Sequence, residues 1–412
     1  MVVISEEVTM FDSFRRLHFW LVAASLVVCS GTGVAFAQGG GKNEIVIGYS
    51  ISLTGKFNTE ALNVDRAYQL WAEEVNKQGG IAVKDRGRKF PVRLVRYDDS
   101  SETNNAIRNY ERLITRDQVD LLFSPWGSGI NFAVSAVTEK HKYPVLLSTA
   151  AADAIFARGF KYIFETTQLA SNMYNGLVEY LASVKGEVKT VAIAYENFLF
   201  TQSLRTALLP KLERAGIKVV ADEQYPLGGQ DFTSLLTKIK AAKPDAFLAI
   251  NIMPSVVYLT RQMAEIGFKP KLYSVTMGPM FEEEFLQKLG GITEGMVEAG
   301  FWHQDLPYQG AKRFYDAYVT KYKRTPSTDA AYGYIGNQVL QQAIEQAGTL
   351  DREKIAATLH SAKFATILGP YEYDERGVNK HQLSFLAQVQ NGKRVLVWPR
   401  NVSKADVKLS SQ

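Results

Sequence analysis

Residues 121–152 read LLFSPWGSGINFAVSAVTEKHKYPVLLSTAAA, and this stretch decides the fold. Leu121–Phe123 is a short apolar run bounded by Ser-Pro, which predicts a buried strand. A small-residue turn then leads into helical spacing of apolar residues over Ile130–Lys140, and Pro144 ends that helix. Val145–Leu147 is a second buried strand, followed by another small-residue turn. This order of strand, turn, helix, strand and turn is typical of a parallel α/β sheet.

The two small-residue turns follow the carboxyl ends of these strands, which is where open parallel sheets bind ligands. Their hydroxyls and the N–H groups of a helix start suit an anionic or carbonyl oxygen. Ser128, Ser148 and Thr149 are equally well explained as helix caps, so both interpretations stay open for them. Trp126 favours a binding site, because a large aromatic between proline and glycine at a strand end suits a pocket wall.

The composition excludes several classes of protein. The chain has 412 residues, enough for two or three domains, and an ordinary charged fraction of 22%. Its single cysteine, Cys29, excludes an intrachain disulfide, and its five histidines are scattered without metal-ligand spacing. We predict no metal site and no cofactor. Basic and acidic residues alternate along the predicted helices, so no nucleic-acid-binding surface is predicted.

The amino terminus has the pattern of a targeting segment. Arg15-Arg16 precede an apolar run over 17–28, and Ala35-Phe36-Ala37 supplies a cleavage pattern. We therefore predict a signal peptide over residues 1–37 and a periplasmic mature protein. The alternative is a lipoprotein modified at Cys29, which the valine before that cysteine disfavours.

Strand and helix patterns alternate over 43–165 and start again over 188–301. The sequence therefore predicts an α/β fold of two doubly wound lobes. Phe57, in the turn after the first strand, is predicted to edge the ligand site. Asp98-Asp99 suggests acid–base chemistry, but capping of the following helix explains the pair better. Residues 162–164 are predicted to be a crossing strand.

The predicted strand ends of the second lobe carry side chains that can face a cleft between the lobes. They are Tyr195, Phe198, Asn251 and Met277. The alternative for the aromatics and the methionine is the hydrophobic core, where such residues are more common.

Seven short segments of the sequence follow one another in a specific order and spacing. They are Ile47-Gly48 with Thr54-Gly55, Tyr97-Asp98-Asp99, Tyr110–Ile114, Asp231-Phe232, Lys240–Asp245, Ala331–Tyr334 with Ala343-Ile344, and Gly369-Pro370. Together they resemble the periplasmic solute-binding proteins of ABC transporters, of the branched-chain amino-acid (leucine/isoleucine/valine) binding type. The resemblance covers nearly all of residues 43–398.

The resemblance implies the type I periplasmic binding protein fold, with two lobes joined by crossing strands that act as a hinge. Lobe one then comprises 43–165 and 302–362, and lobe two comprises 166–301 and 363–412. It also implies closure on a buried ligand and delivery of that ligand to the permease and ATPase subunits of an importer. A monomer without enzymatic activity and without catalytic residues is expected.

Two departures from the family pattern bear on the ligand. Amino-acid binders hold the ligand's amine with a threonine hydroxyl in the turn after the fourth strand, where this sequence has Ala152. They often add a carboxylate near residue 277, but Thr276-Met277-Gly278 contains none. Because a buried ammonium without a counter-charge is unfavourable, we predict an aromatic or otherwise hydrophobic carboxylate.

The predicted ligand-binding residues come from both lobes. They are Phe57, Trp126, Gly127, Ser128, Ser148, Thr149, Ala150, Ala151, Tyr195, Phe198, Asn251 and Met277, with Trp302 as a further candidate. An alternative ligand is a branched-chain amino acid or amide, with Glu60 or Glu196 supplying the charge. The alternative of a secreted hydrolase is disfavoured, because the sequence contains no G-x-S-x-G nucleophile motif.

Overall fold

A computed structural model of the chain describes residues 43–278, 280–281, 285–300, 302–381 and 384–410. The predicted signal peptide lies outside the described residues. Elements before residue 184 are β1 (Ile45–Ile51), α1 (Asn58–Lys77), β2 (Ile81–Val83), β3 (Arg88–Phe90), β4 (Val92–Asp98), α2 (Thr103–Thr115), β5 (Leu121–Leu122), α3 (Ser128–Lys140), β6 (Val145–Leu147), α4 (Asp153–Phe156), β7 (Ile163–Glu165), α5 (Ala170–Met173) and α6 (Asn175–Ser183).

The rest of the chain forms the second sheet and the helices that return to the first. Its elements are β8 (Thr190–Glu196), α7 (Leu199–Arg214), β9 (Lys218–Tyr225), α8 (Thr233–Ala241), β10 (Ala246–Ile250), α9 (Ser255–Glu265), β11 (Leu272–Val275), α10 (Leu286–Leu289), β12 (Val297–Gly300), α11 (Ala311–Tyr322), α12 (Thr328–Ala347), α13 (Arg352–Ser361), β13 (Phe364–Thr366), β14 (Gly369–Tyr371), β15 (Phe385–Gln390) and β16 (Lys393–Trp398).

Lobe one is built around the parallel strands β4-β1-β5, with β6 and β7 as a further parallel pair. Strand β1 is buried along its whole length because helices cover both of its faces. Ile45 and Ile47 face the core that contains α1 and α12, whereas Val46 faces the core of α2 and α3. Alternation along one strand thus supplies both cores.

Lobe two contains a seven-stranded sheet in the order β16-β15-β12-β11-β10-β8-β9. Strands β8 to β12 pair in parallel, and the carboxy-terminal hairpin β15–β16 adds to them antiparallel. The predicted class, two doubly wound α/β lobes, is confirmed. Within the described ranges, every helix is too short or too polar to cross a membrane.

One local prediction differs from the structure. The apolar stretch at 162–164, predicted to be a crossing strand, pairs in parallel as β7 with β6 of lobe one. The turn after β6 leads into the single helical turn α4. Short apolar runs carry no information about the partner strand, so the sequence alone cannot distinguish a crossing strand from a sheet strand.

The stretch after α13, which we predicted to belong to lobe two from residue 363, first packs on lobe one. Gln342 of α12 exchanges hydrogen bonds with the backbone of Ala365. Further on, the Gly377 carbonyl accepts from the Glu165 N–H at 2.7 Å. The lobe boundaries remain a prediction, and these contacts lead us to propose a boundary nearer residue 381.

Gly377 offers a test of this contact, because it has a φ of 76° and an added Cβ would lie 2.1 Å from the Ile163 carbonyl oxygen. Gly377→Ala should lower the free energy of unfolding by about 2–4 kcal/mol, from left-handed backbone strain and overpacking. Urea denaturation measures this loss. Gly186→Ala, at an exposed glycine with open space around it, is the control and should change little. Equal effects of the two variants would contradict the packing of this segment on β7.

Candidate functional site

A cavity with about 390 Å³ of empty space, part of it open to solvent, lies between the two sheets. It is bordered by the turns after β5 and β6 on one side and by the ends of β8 and β11 on the other. Its lining residues are Trp126, Gly127, Ser128, Thr149, Ala151, Thr167, Met173, Phe198, Phe200, Met277, Asp329 and Tyr332.

The structure brings seven of the predicted site residues together at this cavity. They are Trp126, Gly127, Ser128, Thr149, Ala151, Phe198 and Met277. The other predicted residues lie elsewhere.

Three of these lie behind the lobe-one wall. The Ser148 hydroxyl is 3.1 Å from the Tyr68 hydroxyl and buried, so it fixes the strand end. Ala150 packs in the second core of lobe one. The Phe57 ring supports the cavity wall from outside, with its centroid 5.0 Å from that of Trp126.

The remaining predicted residues do not line the cavity. The Tyr195 ring lies under the guanidinium of Arg205, 5.6 Å from the ring centroid. Asn251 is fully buried beside Tyr225. Trp302 is also fully buried, and its Nε1–H donates to the Ile367 carbonyl at 3.3 Å. Aromatic and amide side chains at strand ends can face either side of the strand, and these three do not face the cavity.

The two turns of lobe one are bound to each other by their hydroxyls. Ser128 Oγ accepts from the N–H groups of Ala151 at 3.1 Å and Ala152 at 3.2 Å. In return, Thr149 Oγ1 accepts from the Gly127 N–H at 3.0 Å. These hydroxyls satisfy the neighbouring turn rather than capping their own helices. Ser128 keeps its hydroxyl hydrogen, which can still be donated.

The start of α3 is a potential anion site. Gly127 has a φ of 84°, which favours glycine and turns the chain sharply into this 13-residue helix. No side chain of the described residues caps it. The first N–H groups of a helix have no partner inside the helix, and their positive end favours an anion. Because Gly127 and Ser128 line the cavity, an oxyanion there can accept these N–H groups.

Asp329 is the charged residue that sequence reasoning missed. It lies in the first turn of α12, is buried, and lines the cavity. Its Oδ2 accepts from the Trp126 indole N–H at 2.9 Å. Burial raises the pKa of this carboxyl to about 7, although the hydrogen bond from Trp126 works against the rise. An acid in a first helical turn resembles an ordinary capping residue, so its sequence signal was weak.

Four uncharged lining residues were also missed. They are Thr167, Met173, Phe200 and Tyr332. Thr167 and Met173 follow β7, where the chain leaves lobe one, and no strand-end pattern indicated them. Phe200 lies two residues after Phe198, in the first turn of α7, and an aromatic so close to Phe198 was the available signal.

The alternative carboxylates, Glu196 and Glu60, are not among the residues that line the cavity. Glu196 accepts from the Ile252 N–H at 2.8 Å and the Gly228 N–H at 3.2 Å, and also from the Ser255 hydroxyl. It therefore serves the start of α9. Within the described chain, no three His, Cys, Asp or Glu side chains come together in a group able to hold a metal.

Glu60 is a fully buried carboxyl without matched donors. Neither oxygen reaches hydrogen-bond geometry with a described residue, although the Met253 backbone lies close enough to favour the charged form. Burial is the larger effect and raises the pKa of Glu60 well above its usual range, with the charges of Asp329 and Glu196 adding to the rise.

Comparisons with known proteins agree with this architecture. A family model described as periplasmic binding protein matches residues 44–394. The Leu/Ile/Val-binding protein homolog 7 of Brucella suis biovar 1 (strain 1330) is 26% identical over 367 residues, covering 84% of this chain and 88% of that protein.

Two solved structures share the fold. One is a solute-binding protein of an ABC transporter from Rhodopseudomonas palustris BisB5 in complex with 3,4-dihydroxy benzoic acid, with a TM-score of 0.77, 21% identity, and coverage of 89% of this chain and 98% of that one. The other is the branched-chain amino acid transporter substrate-binding protein LivJ from Streptococcus pneumoniae in complex with isoleucine, with a TM-score of 0.75, 24% identity, and coverage of 86% and 100%.

The raised pKa of Glu60 gives a pH-dependent prediction. The pKa of Glu60 is higher in the folded protein than in the unfolded chain, so between these two values only the unfolded chain has lost the proton. The free energy of unfolding therefore falls as the pH rises through this range. Glu60→Gln should therefore raise the free energy of unfolding at pH 8 by on the order of 1 kcal/mol or more, with little difference at pH 4. Denaturant unfolding at both pH values measures it.

Glu196→Gln is the matched control, because that carboxylate has three donors and its replacement should destabilise the protein. A Glu60→Gln variant that is less stable than wild type at pH 8 would contradict the description of Glu60 as an unmatched carboxyl.

Proposed function

The chain belongs to the periplasmic binding protein family and is a solute-binding protein of ABC transporters; we propose that the solute it carries is an aromatic or otherwise apolar carboxylate. The single observation that carries this proposal is a cavity with apolar walls and an uncapped helix start at one end. The first feature suits a ring and the second suits a carboxylate.

The carboxylate end is assigned to lobe one. The first N–H groups of α3 point toward the amino-terminal end of the helix and have no partner within it. The Ser128 hydroxyl also has one hydrogen left to donate. Hydrogen bonds to a charged acceptor are stronger than those between neutral groups, especially out of water. The carboxylate then needs no basic side chain, and the described lining of the cavity contains none.

The ring is assigned to the apolar walls. Phe198, Phe200 and Met277 come from the strand ends of lobe two, and Met173 comes from α5. Aromatic rings and a thioether contact another ring favourably at its edge and face. The relative from Rhodopseudomonas palustris BisB5, whose structure contains 3,4-dihydroxy benzoic acid, shows that this fold accommodates such a ligand.

A branched-chain amino acid is the second candidate, and Asp329 is the observation that favours it. This carboxyl lines the cavity and can pair with an ammonium, so the cavity contains a counter-charge for an amine. The LivJ structure contains isoleucine. Against this candidate, burial raises the pKa of Asp329 to about 7, which leaves this carboxyl partly neutral near that pH.

We further propose the cellular setting of the protein. Residues 1–37 direct it to the periplasm and are removed there. The mature protein works as a monomer whose lobes, 43–165 with 302–381 and 166–301 with 384–412, close on the solute. The closed form then docks on the permease and ATPase subunits of an importer. Family membership supports an extracytoplasmic location and delivery to a permease.

A thermal-shift panel on the purified mature chain tests the ligand class. A ligand at a hundredfold excess over its Kd adds about 2.7 kcal/mol of stability, which raises the Tm by several degrees. We expect shifts with benzoate and cinnamate and none with leucine or valine at equal concentration. A shift with leucine or valine alone would contradict the aromatic carboxylate and favour the amino acid.

Ser128→Ala tests the carboxylate end. The variant should weaken binding of an aromatic acid about tenfold and binding of the matching neutral amide by less than about threefold, because a hydrogen bond to a charged group is the stronger one. Isothermal titration calorimetry measures both. Ser135→Ala, on the same helix but away from the cavity lining, is the control. Equal losses for acid and amide would contradict the assignment.

A further inference from the structure

Glu60 is a buried carboxyl at the contact between the two lobes. It lies in the first turn of α1, which packs on β1 and β4 of lobe one, and its side chain is fully buried. The groups of lobe two that act on it are the backbone of Met253, in the turn after β10, and the carboxyl of Glu196, at the end of β8. Both lobes therefore contribute to the surroundings of this side chain.

These surroundings supply no partner for a negative charge. Neither oxygen of Glu60 has a hydrogen-bond partner among the described residues. In the same part of the chain, no lysine, arginine or histidine forms an ion pair with it. A buried carboxylate without donors or a counter-charge is unfavourable, whereas the protonated acid carries no charge to compensate. The closed arrangement of the lobes thus favours the neutral form of Glu60.

The charged groups around Glu60 act in the same direction. The strongest charges that reach it from other elements are Asp329, in the first turn of α12, and Glu196, and both raise the pKa of Glu60 further. The charged residues closest to it along the chain have other contacts. They are Lys56 beside the Phe57 ring, Asp65 in an ion pair with Arg96, and Arg66 beside Tyr322.

Separation of the lobes reverses these conditions. Met253 and Glu196 follow strands of lobe two and move away from α1 when the lobes open. Water then reaches Glu60, and a glutamate in water is ionised at neutral pH. The open and closed forms therefore bind different numbers of protons.

We propose that closure of the lobes on a solute takes up one proton at Glu60, so that the solute is bound less tightly as the pH rises. The proton comes from the solvent and converts the carboxylate to the acid. This inference rests on the proposed function and adds a form of regulation to it. Between the pKa of Glu60 in the open form and its higher pKa in the closed form, the affinity falls by at most tenfold per pH unit.

Calorimetric titration of the mature protein with benzoate at pH 5.5 and pH 8 tests the proposal, since benzoate keeps its charge over this range. We expect wild type to bind about tenfold more weakly at pH 8. Glu60→Gln should bind more tightly than wild type, because the neutral amide matches the closed form, and this advantage should be about tenfold larger at pH 8 than at pH 5.5. Titrations at pH 7 in phosphate and in Tris, which differ in ionisation enthalpy, count the protons taken up.

Glu60→Met, of similar length and also uncharged, should reproduce the smaller pH dependence of Glu60→Gln. Asp329→Asn removes the other carboxyl that titrates near neutral pH and should keep most of the wild-type pH dependence. Asp316→Asn, at an exposed carboxylate on α11, is the control and should bind as wild type does at both pH values.

Equal pH dependence of wild type and Glu60→Gln would overturn the proposal, as would equal numbers of protons taken up by the two proteins. If leucine binds and benzoate does not, the aromatic acid of the proposed function is contradicted. The same comparison made with leucine then decides whether Glu60 takes up the proton, because the uptake follows from closure of the lobes and not from the class of solute.

Discussion

The candidate binding cavity depends on the mutual hydrogen bonding of two turns in lobe one. Ser128 satisfies the backbone of the second turn, and Thr149 satisfies the backbone of the first. Because each turn is held by the other, neither needs its own cap, and the start of α3 keeps its N–H groups for a ligand. The same bonds bring the ends of β5 and β6 together at a fixed distance. Every ligand contact that we propose for lobe one follows from this arrangement.

Much of this arrangement was predictable from the sequence, because it is local. The order of strand, turn, helix and strand over 121–152 located both turns, and Trp126 marked the wall. The roles of the hydroxyls were less predictable. Ser128 and Thr149 were expected to cap helices or bind a ligand; they bond the adjacent turn rather than cap their own helices, and both line the cavity. A sequence read along one chain segment does not show which neighbouring segment will supply the donor.

Local sequence patterns could not identify Asp329 as a residue of the cavity wall. Asp329 and Trp126 are 203 residues apart, and only the return of the chain to lobe one joins them. Conversely, Glu196 stands at a strand end like a ligand residue but serves the start of α9. Tyr195 beside it lies on the other side of the strand, under Arg205. Local patterns indicate where side chains gather, whereas long-range contacts decide which of them remain available.

The cavity wall is divided between two bodies, and the division has a consequence for how such a protein can change its cargo. The groups assigned to the anion belong to lobe one, and they are part of the bonds that hold its turns. The groups assigned to the shape of the solute, Phe198, Phe200 and Met277, belong to lobe two and hold no turn of lobe one in place. One aryl acid can thus replace another through substitutions in lobe two alone, which leave the bonds that hold the turns of lobe one intact. Binding of the carboxylate can thus stay the same while selectivity for the shape of the solute changes.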